Sequence, residues 1–103
     1  MAYEAGDFAA NLAAAAGDDP ALLADLRASF AESLAMQVDL LCRARCDANW
    51  LTAANRLRAL GASFHATELA NLAELAIDSA PGEPGVMRRL QQLSQSISVD
   101  FAC

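Results

Sequence analysis

Three cysteines and one histidine are the side chains of this sequence best suited to bind a metal or act as a nucleophile. Cys42 and Cys46 are four residues apart, while Cys103 and His65 stand far from them in the sequence. No CxxC pair is present, and one histidine does not complete a zinc site. We therefore expect no metal and no cofactor, and we interpret the cysteines as small, partly buried side chains without chemistry.

Asn55 is the centre of a second polar group, in the segment AANRLRALGASFHA of residues 53–66. A helical period of about 100° per residue divides this segment and the residues before it into two faces. The side opposite Asn55 is apolar and is predicted to be buried, and it contains Trp50, Ala53, Leu57, Leu60 and Phe64. The side around Asn55 is mostly small or basic, and it contains Ala48, Leu51, Thr52, Arg58, Ala59, Ala62 and Ala66, with Arg56 on its flank.

Two interpretations fit the side around Asn55. An ordinary solvated helix surface explains it, because alanine is the best helix former and surface arginines are common. A docking surface also explains it, since small side chains allow close approach and arginines attract an acidic partner. The local charge supports docking, because the sequence between residues 41 and 58 contains four arginines, at 43, 45, 56 and 58, and only one acidic residue, Asp47.

Length and composition limit the classes of protein that are possible. The chain has 103 residues, 55% of them hydrophobic, which predicts one folded domain over residues 1–103. Its net charge of −6 argues against nucleic acid as a partner, because a polyanion attracts an excess of basic residues. No apolar stretch approaches the ~20 residues that cross a bilayer. We expect a monomeric cytoplasmic protein that binds neither nucleic acid nor membrane.

The pattern of apolar residues, caps and breakers predicts an all-α fold. Helices are expected over residues 7–16, 20–44, 48–64 and 68–79, and a last helix begins near residue 86. Gly17 is expected to end the first helix, and Asp18-Asp19-Pro20 to start the second. Asp47 and Thr67 are expected to cap the next two helices, and residues 80–85 to form a loop. The fold expected is an antiparallel four-helix bundle with an additional short N-terminal helix.

Several inward-facing positions follow from the same periodicity. In the first helix Phe8 and Leu12 share a face. The long second helix carries an apolar stripe of Leu22, Leu26, Phe30, Leu34, Val38 and Leu41. The last two helices are expected to turn inward Leu69, Leu72, Ala73 and Ala76, then Val86, Leu90, Leu93 and Ile97.

These residues resemble those of the histidine-containing phosphotransfer (HPt) domain family. The family motif is close to A-H-x-L-K-G-S-x-x-x-x-G-A, and this chain reads Ala54-Asn55-Arg56-Leu57-Arg58-Ala59-Leu60, continuing to His65-Ala66. The upstream segment GDDPALLADLRASFAESL is similar to the start of the family's long second helix. The resemblance covers nearly the whole chain. It implies a helical bundle related to modules that pass phosphoryl groups between receiver domains.

Two departures from the family pattern affect phosphoryl transfer. Asn55 occupies the phosphoacceptor histidine position, and an amide nitrogen is neither basic nor nucleophilic. Ile77 occupies the position where many family members carry the Glu or Gln that orients the histidine. His65 does not replace the missing phosphoacceptor. If the family motif is aligned on His65, Glu68 and Leu69 occupy the positions of the family lysine and glycine. We interpret His65 as a residue that tolerates the left-handed conformation at a helix end.

The residues of the family's docking surface are better retained in this chain than the residues needed for phosphoryl transfer. Arg58 keeps the positive charge of the family lysine, and Ala59 is nearly as small as the family glycine, although Leu60 replaces the usual serine. The resemblance implies a partner that is the receiver domain of a response regulator or hybrid histidine kinase. The expected docking face consists of Leu51, Asn55, Arg56, Arg58, Ala59 and Ala62.

The expected function is therefore that of an HPt-like adaptor or competitor, not an enzyme, that docks on receivers without accepting phosphate. Two alternatives stay open from the sequence. One is a helical-bundle scaffold with no role in phosphorelay, because fold does not fix function. The other is a phosphotransfer protein whose acceptor histidine was replaced.

Overall fold

The computed structural model describes the backbone of residues 3–102 and the side-chain surroundings of residues 10–98, so that the predictions for Phe8 and Cys103 lie outside the described side chains. The described chain is all-helical and contains no strand, which confirms the all-α prediction. Within it no helix is both long and apolar enough to cross a membrane. The helices are α1 (Tyr3–Ala16), α2 (Pro20–Arg43), α3 (Asp47–Ser63), α4 (Thr67–Ile77) and α5 (Pro84–Ala102).

The junction between α1 and α2 is built as the sequence predicts, although α1 begins four residues earlier than expected. Gly17 ends α1 in the left-handed region, with φ of 66°, where glycine has no Cβ penalty. One Asp19 carboxylate oxygen accepts hydrogen bonds from the N–H groups of Ala21 at 3.0 Å and Leu22 at 3.2 Å. Pro20 follows at the first helical position, which needs no donor. These contacts fix the start of α2.

The starts of α3 and α4 differ from the predictions. Cys46, not Asp47, is the N-cap of α3, and Asp47 lies in the first turn, where its charge favours the helix dipole. Ala66, not Thr67, precedes α4, and Thr67 is its first residue. Neither cap residue makes a side-chain hydrogen bond to its helix. Each helix thus begins at the polar residue that was expected to cap it, one residue earlier than predicted.

The loop before α5 spans residues 78–83, so it lies two residues earlier than the predicted residues 80–85. Pro84 and Gly85 belong to the first turn of α5, where a proline is tolerated because its missing N–H would have no partner. The Glu83 carboxylate accepts a hydrogen bond from the Gly85 N–H at 2.9 Å, and the Glu83 carbonyl accepts from Met87 N–H at 3.1 Å. Glu83 therefore marks the start of α5, at a position that the neighbouring proline and glycine led us to predict as loop.

Helices α2 to α5 pack in a closed ring, in which α2 contacts α3 and α5, and α4 contacts the same two helices. Helix α1 packs mainly on α2 and also touches α4. The centre of the ring is apolar, and Phe30 of α2 is in tilted ring contact with Phe64, the residue after α3, at a centroid distance of 4.9 Å. The most completely buried large side chains are Trp50, Phe30, Leu34, Leu41, Leu57, Leu69 and Leu90.

Burial follows most of the predicted stripes, with six exceptions. Leu22, in the first turn of α2, is 42% exposed. Phe64 is half-buried, not buried, because it is the residue that ends α3. Other predicted core positions that are half-buried are Leu26, Leu60, Leu93 and Ile97.

Candidate functional site

One side of α3 is open to solvent, and we call it the Asn55 face. It is defined by the exposed residues Ala48, Leu51, Thr52, Asn55, Arg56, Arg58, Ala59 and Ala62. The sequence predicted each of these positions on the Asn55 side or on its flank. Leu51, the one large apolar residue among them, is 40% exposed. The face thus combines small side chains, one exposed leucine and two arginines.

Ala66 was predicted on this face but is buried. The helical period does not extend to it, because α3 ends at Ser63 and the chain turns at His65, where φ is 57°. The Ala66 N–H donates to the Gly61 carbonyl at 2.8 Å, and the His65 N–H donates to the Ala62 carbonyl at 3.3 Å. This pair of bonds is a Schellman motif with His65 at its left-handed position. The interpretation of His65 as a helix-end residue agrees with this geometry.

The two polar side chains at the centre of the Asn55 face bond to their own helix. The Asn55 Nδ2 group donates to the Leu51 carbonyl at 2.9 Å, and the Thr52 hydroxyl donates to the Ala48 carbonyl at 2.8 Å. Such bonds to the carbonyl four residues earlier hold short polar side chains close to the helix surface. The face is consequently flat, and the Asn55 carboxamide oxygen remains available to accept a hydrogen bond from a partner.

The buried side of α3 is displaced from its predicted position toward α4. Ala54 is fully buried and Gly61 is buried, whereas Leu60 is only half-buried. A Cβ atom at Gly61 would lie 2.8 Å from the Ala70 nitrogen and 3.1 Å from the Ala70 Cα. The backbones of α3 and α4 therefore approach closely at this glycine, and that approach rotates the buried side toward Ala54. A lone glycine in an alanine-rich helix is the sequence signal for such a contact.

Trp50 joins the start of α3 to the end of α4. Its side chain is 1% exposed, and its indole N–H donates to the Ala76 carbonyl at 2.7 Å. That carbonyl belongs to the last turn of α4 and also accepts a hydrogen bond from the Ser79 N–H at 3.0 Å, beyond the end of the helix. The tryptophan thus links the start of α3 to the end of α4, next to Ile77.

Ile77 is half-buried against the hydrophobic core. Its side chain contains no hydrogen-bonding group, so it cannot hold an imidazole in a fixed orientation. Asn55 lies exposed in the middle of α3, without basic or nucleophilic character. Neither side chain supplies a base or a nucleophile.

Positive charge borders the Asn55 face in a chain that is acidic as a whole. Arg56 and Arg58 are exposed, and among residues 10–98 no carboxylate lies within salt-bridge distance of either. Arg43, at the end of α2, pairs with Asp39 at 3.1 Å, and both side chains are largely exposed. Exposed pairs of this kind contribute little to stability. The guanidinium groups of Arg56 and Arg58 are therefore accessible to an acidic partner.

Cys42 is half-buried, as predicted, whereas Cys46 is exposed because it lies in the turn before α3. The pKa of the Cys42 thiol is raised. Burial raises its pKa, the charge of Asp39 raises it further, and a hydrogen bond from Gln91 to the sulfur acts in the opposite direction. The reactive form of cysteine is the thiolate, which a raised pKa disfavours at neutral pH. Over the described part of the chain, no three histidine, cysteine or carboxylate side chains cluster as metal ligands would.

Comparisons with protein-family models, curated proteins and solved structures give no match for this chain.

Proposed function

We propose that this protein is an HPt-like adaptor that docks on receiver domains through the Asn55 face and does not accept phosphate. In this proposal α2 to α5 form an antiparallel four-helix bundle of the HPt type, and α1 is an addition to it. The partner is the receiver domain of a response regulator or hybrid histidine kinase, which implies a cytoplasmic location. Binding to such a receiver would compete with active phosphotransfer proteins.

The observation that carries the proposal is the way the motif residues divide between surface and core. Leu57 is completely buried, whereas Asn55 and Arg58 are exposed on one side of α3. His65 lies at the turn that ends this helix, in the place where the family motif has glycine. A motif whose apolar residue anchors the helix and whose polar residues face solvent is suited to presenting a surface to a partner.

The shape and charge of the face support docking. Asn55 and Thr52 are bonded back to α3, and Ala59 and Ala62 project little, so a partner can approach the helix closely. Leu51 offers apolar area that a complex would bury. Arg58 supplies charge for an acidic pocket, and electrostatic complementarity of this kind raises association rates and selects partners.

Binding and transfer are separable in this arrangement. Docking uses area and charge that the face still has, whereas transfer additionally needs a nucleophile and a group to orient it. Asn55 and Ile77 provide neither. The proposal therefore predicts complexes with receivers in which the phosphoryl group does not move to this chain.

Charge reversal on the face tests the proposal. Arg58→Glu should weaken binding to a cognate receiver at least about tenfold, because it places like charges across the interface. The matched control is Arg88→Glu, which makes the same charge change at an exposed position on α5. Titration calorimetry with each receiver encoded in the same genome gives the affinities. Equal losses in the two variants would show that net charge, and not the Asn55 face, governs binding.

The competing function is a helical scaffold unrelated to phosphorelay. It predicts that the native chain binds no receiver, so the same calorimetric series distinguishes the two functions.

A further inference from the structure

An open groove between α2 and α3 collects positive charge beside the Asn55 face. Its volume is about 550 Å³. From α2 and the turn after it come Arg43 and Arg45, and from α3 comes Arg56. Leu40 lies on the same lining, so the groove also has an apolar wall. Three of the seven basic residues of the sequence thus line one groove.

The groove differs in charge from two grooves beside α5. One of those is lined by Glu68 together with Arg89, and the other by Glu83 together with Arg88 and Arg89. Each of them therefore contains a carboxylate that offsets its arginines. The lining of the α2–α3 groove contains no carboxylate, although acids outnumber basic residues in the chain by 13 to 7. Asp39, which lies outside the lining, pairs with Arg43, and the charges of Arg45 and Arg56 have no such partner among the described side chains.

Contacts within the protein occupy only part of these guanidinium groups. Arg43 pairs with Asp39, and Arg45 donates through one Nη1 group to the Arg43 carbonyl at 3.2 Å. A guanidinium group has five N–H donors, so most donors of Arg45 remain available. Arg56 has no carboxylate within salt-bridge distance among the described side chains. The bond from Arg45 to the Arg43 carbonyl also keeps the Arg45 group near the groove.

We propose that the α2–α3 groove binds the phosphate group of a small phosphate monoester. Guanidinium groups match the geometry of phosphate oxygens and bind them through paired, charge-assisted hydrogen bonds. Arg45 and Arg56 hold the phosphate from the two sides of the groove, and the Asn49 carboxamide offers a further N–H donor. The organic part of the ligand lies against Leu40 and the alanines at 44 and 53. This site goes beyond receiver docking, since Arg45 is not part of the Asn55 face.

The test is an NMR titration of the full chain with phenyl phosphate, inorganic phosphate and benzoate at constant ionic strength. We expect saturable shifts of groove residues with both phosphates, strongest with phenyl phosphate, and a dissociation constant of about 1 mM or below. Benzoate, which carries the ring without the phosphate, should bind at least about tenfold more weakly. Absence of saturation with either phosphate, or equal binding of benzoate, would overturn the proposal.

Matched variants locate the site. Arg45→Gln should weaken phenyl phosphate binding about tenfold, which is the effect of losing one charge-assisted contact. Arg88→Gln, an equal change on α5, should leave the affinity unchanged within about twofold. Trp50 fluorescence shows whether each variant is folded. Equal losses in the two variants would refute the site, and because Arg45 lies off the Asn55 face, this result would leave receiver docking to be judged by its own experiment.

Discussion

Replacing Gly61 by alanine is the substitution whose effect the structure determines most directly. An alanine Cβ at this position would lie 2.8 Å from the Ala70 nitrogen, 3.1 Å from the Ala70 Cα and 3.2 Å from the Ala66 carbonyl oxygen. All three atoms belong to the backbone, so no side chain can rotate away to make room. Either α4 must move away from α3 or the turn at His65 must open.

The expected net effect is a loss of about 2 kcal/mol in the free energy of unfolding. Overpacking a close contact costs about 1–3 kcal/mol, and a clash with backbone atoms belongs at the upper end of that range. Alanine is a better helix former than glycine by about 1 kcal/mol, which offsets part of the cost. A loss of this size lowers the melting temperature of a domain of this length by roughly 8–16 °C.

Urea unfolding followed by Trp50 fluorescence measures the effect, because Trp50 is the only tryptophan and is buried. The control is Ala59→Gly at an exposed position of the same helix, which should cost about 1 kcal/mol through helix propensity alone. Alanine should thus be the worse residue at position 61 and the better one at position 59. If Gly61→Ala stabilises the protein, α3 and α4 do not approach as closely as described.

Two further substitutions test the turn and the tryptophan contact. His65→Gly should raise the free energy of unfolding by about 1 kcal/mol, because glycine adopts the left-handed conformation without the Cβ penalty that histidine carries. If the variant is less stable than the native chain in the same urea experiment, the turn geometry is wrong. Trp50→Phe should cost about 2–3 kcal/mol, from the lost hydrogen bond to the Ala76 carbonyl and the space left by the smaller ring. Circular dichroism follows this unfolding, and a cost below about 0.5 kcal/mol would show that the indole bond does not hold α4.

Local sequence signals predicted the features of the fold that depend on neighbouring residues. Gly17 and the Asp19-Pro20 pair act within one turn of the chain, and both behave in the structure as their chemistry requires. The exposed side of α3 was also predictable, since helical periodicity alone decides which residues lie beside Asn55. These features need no knowledge of how the helices pack.

Features that depend on distances between helices were not predictable in the same way. The buried side of α3 is rotated toward Ala54 because α4 comes close at Gly61, and periodicity contains no information about that distance. Ala66 was assigned to the wrong side because the helical period was extended past the turn at His65. The sequence showed an excess of arginines between residues 41 and 58, but only the packing of α2 on α3 brings three of them into one groove.

Mixing the native chain with a receiver that carries a labelled phosphoryl group tests the central claim most directly. Complex formation and the position of the label are measured in the same sample, by size-exclusion chromatography and by gel autoradiography. The proposal predicts a complex in which the label stays on the receiver, because Asn55 offers no nucleophile. Transfer of the label to this chain, or the absence of a complex with every receiver encoded in its genome, would contradict it.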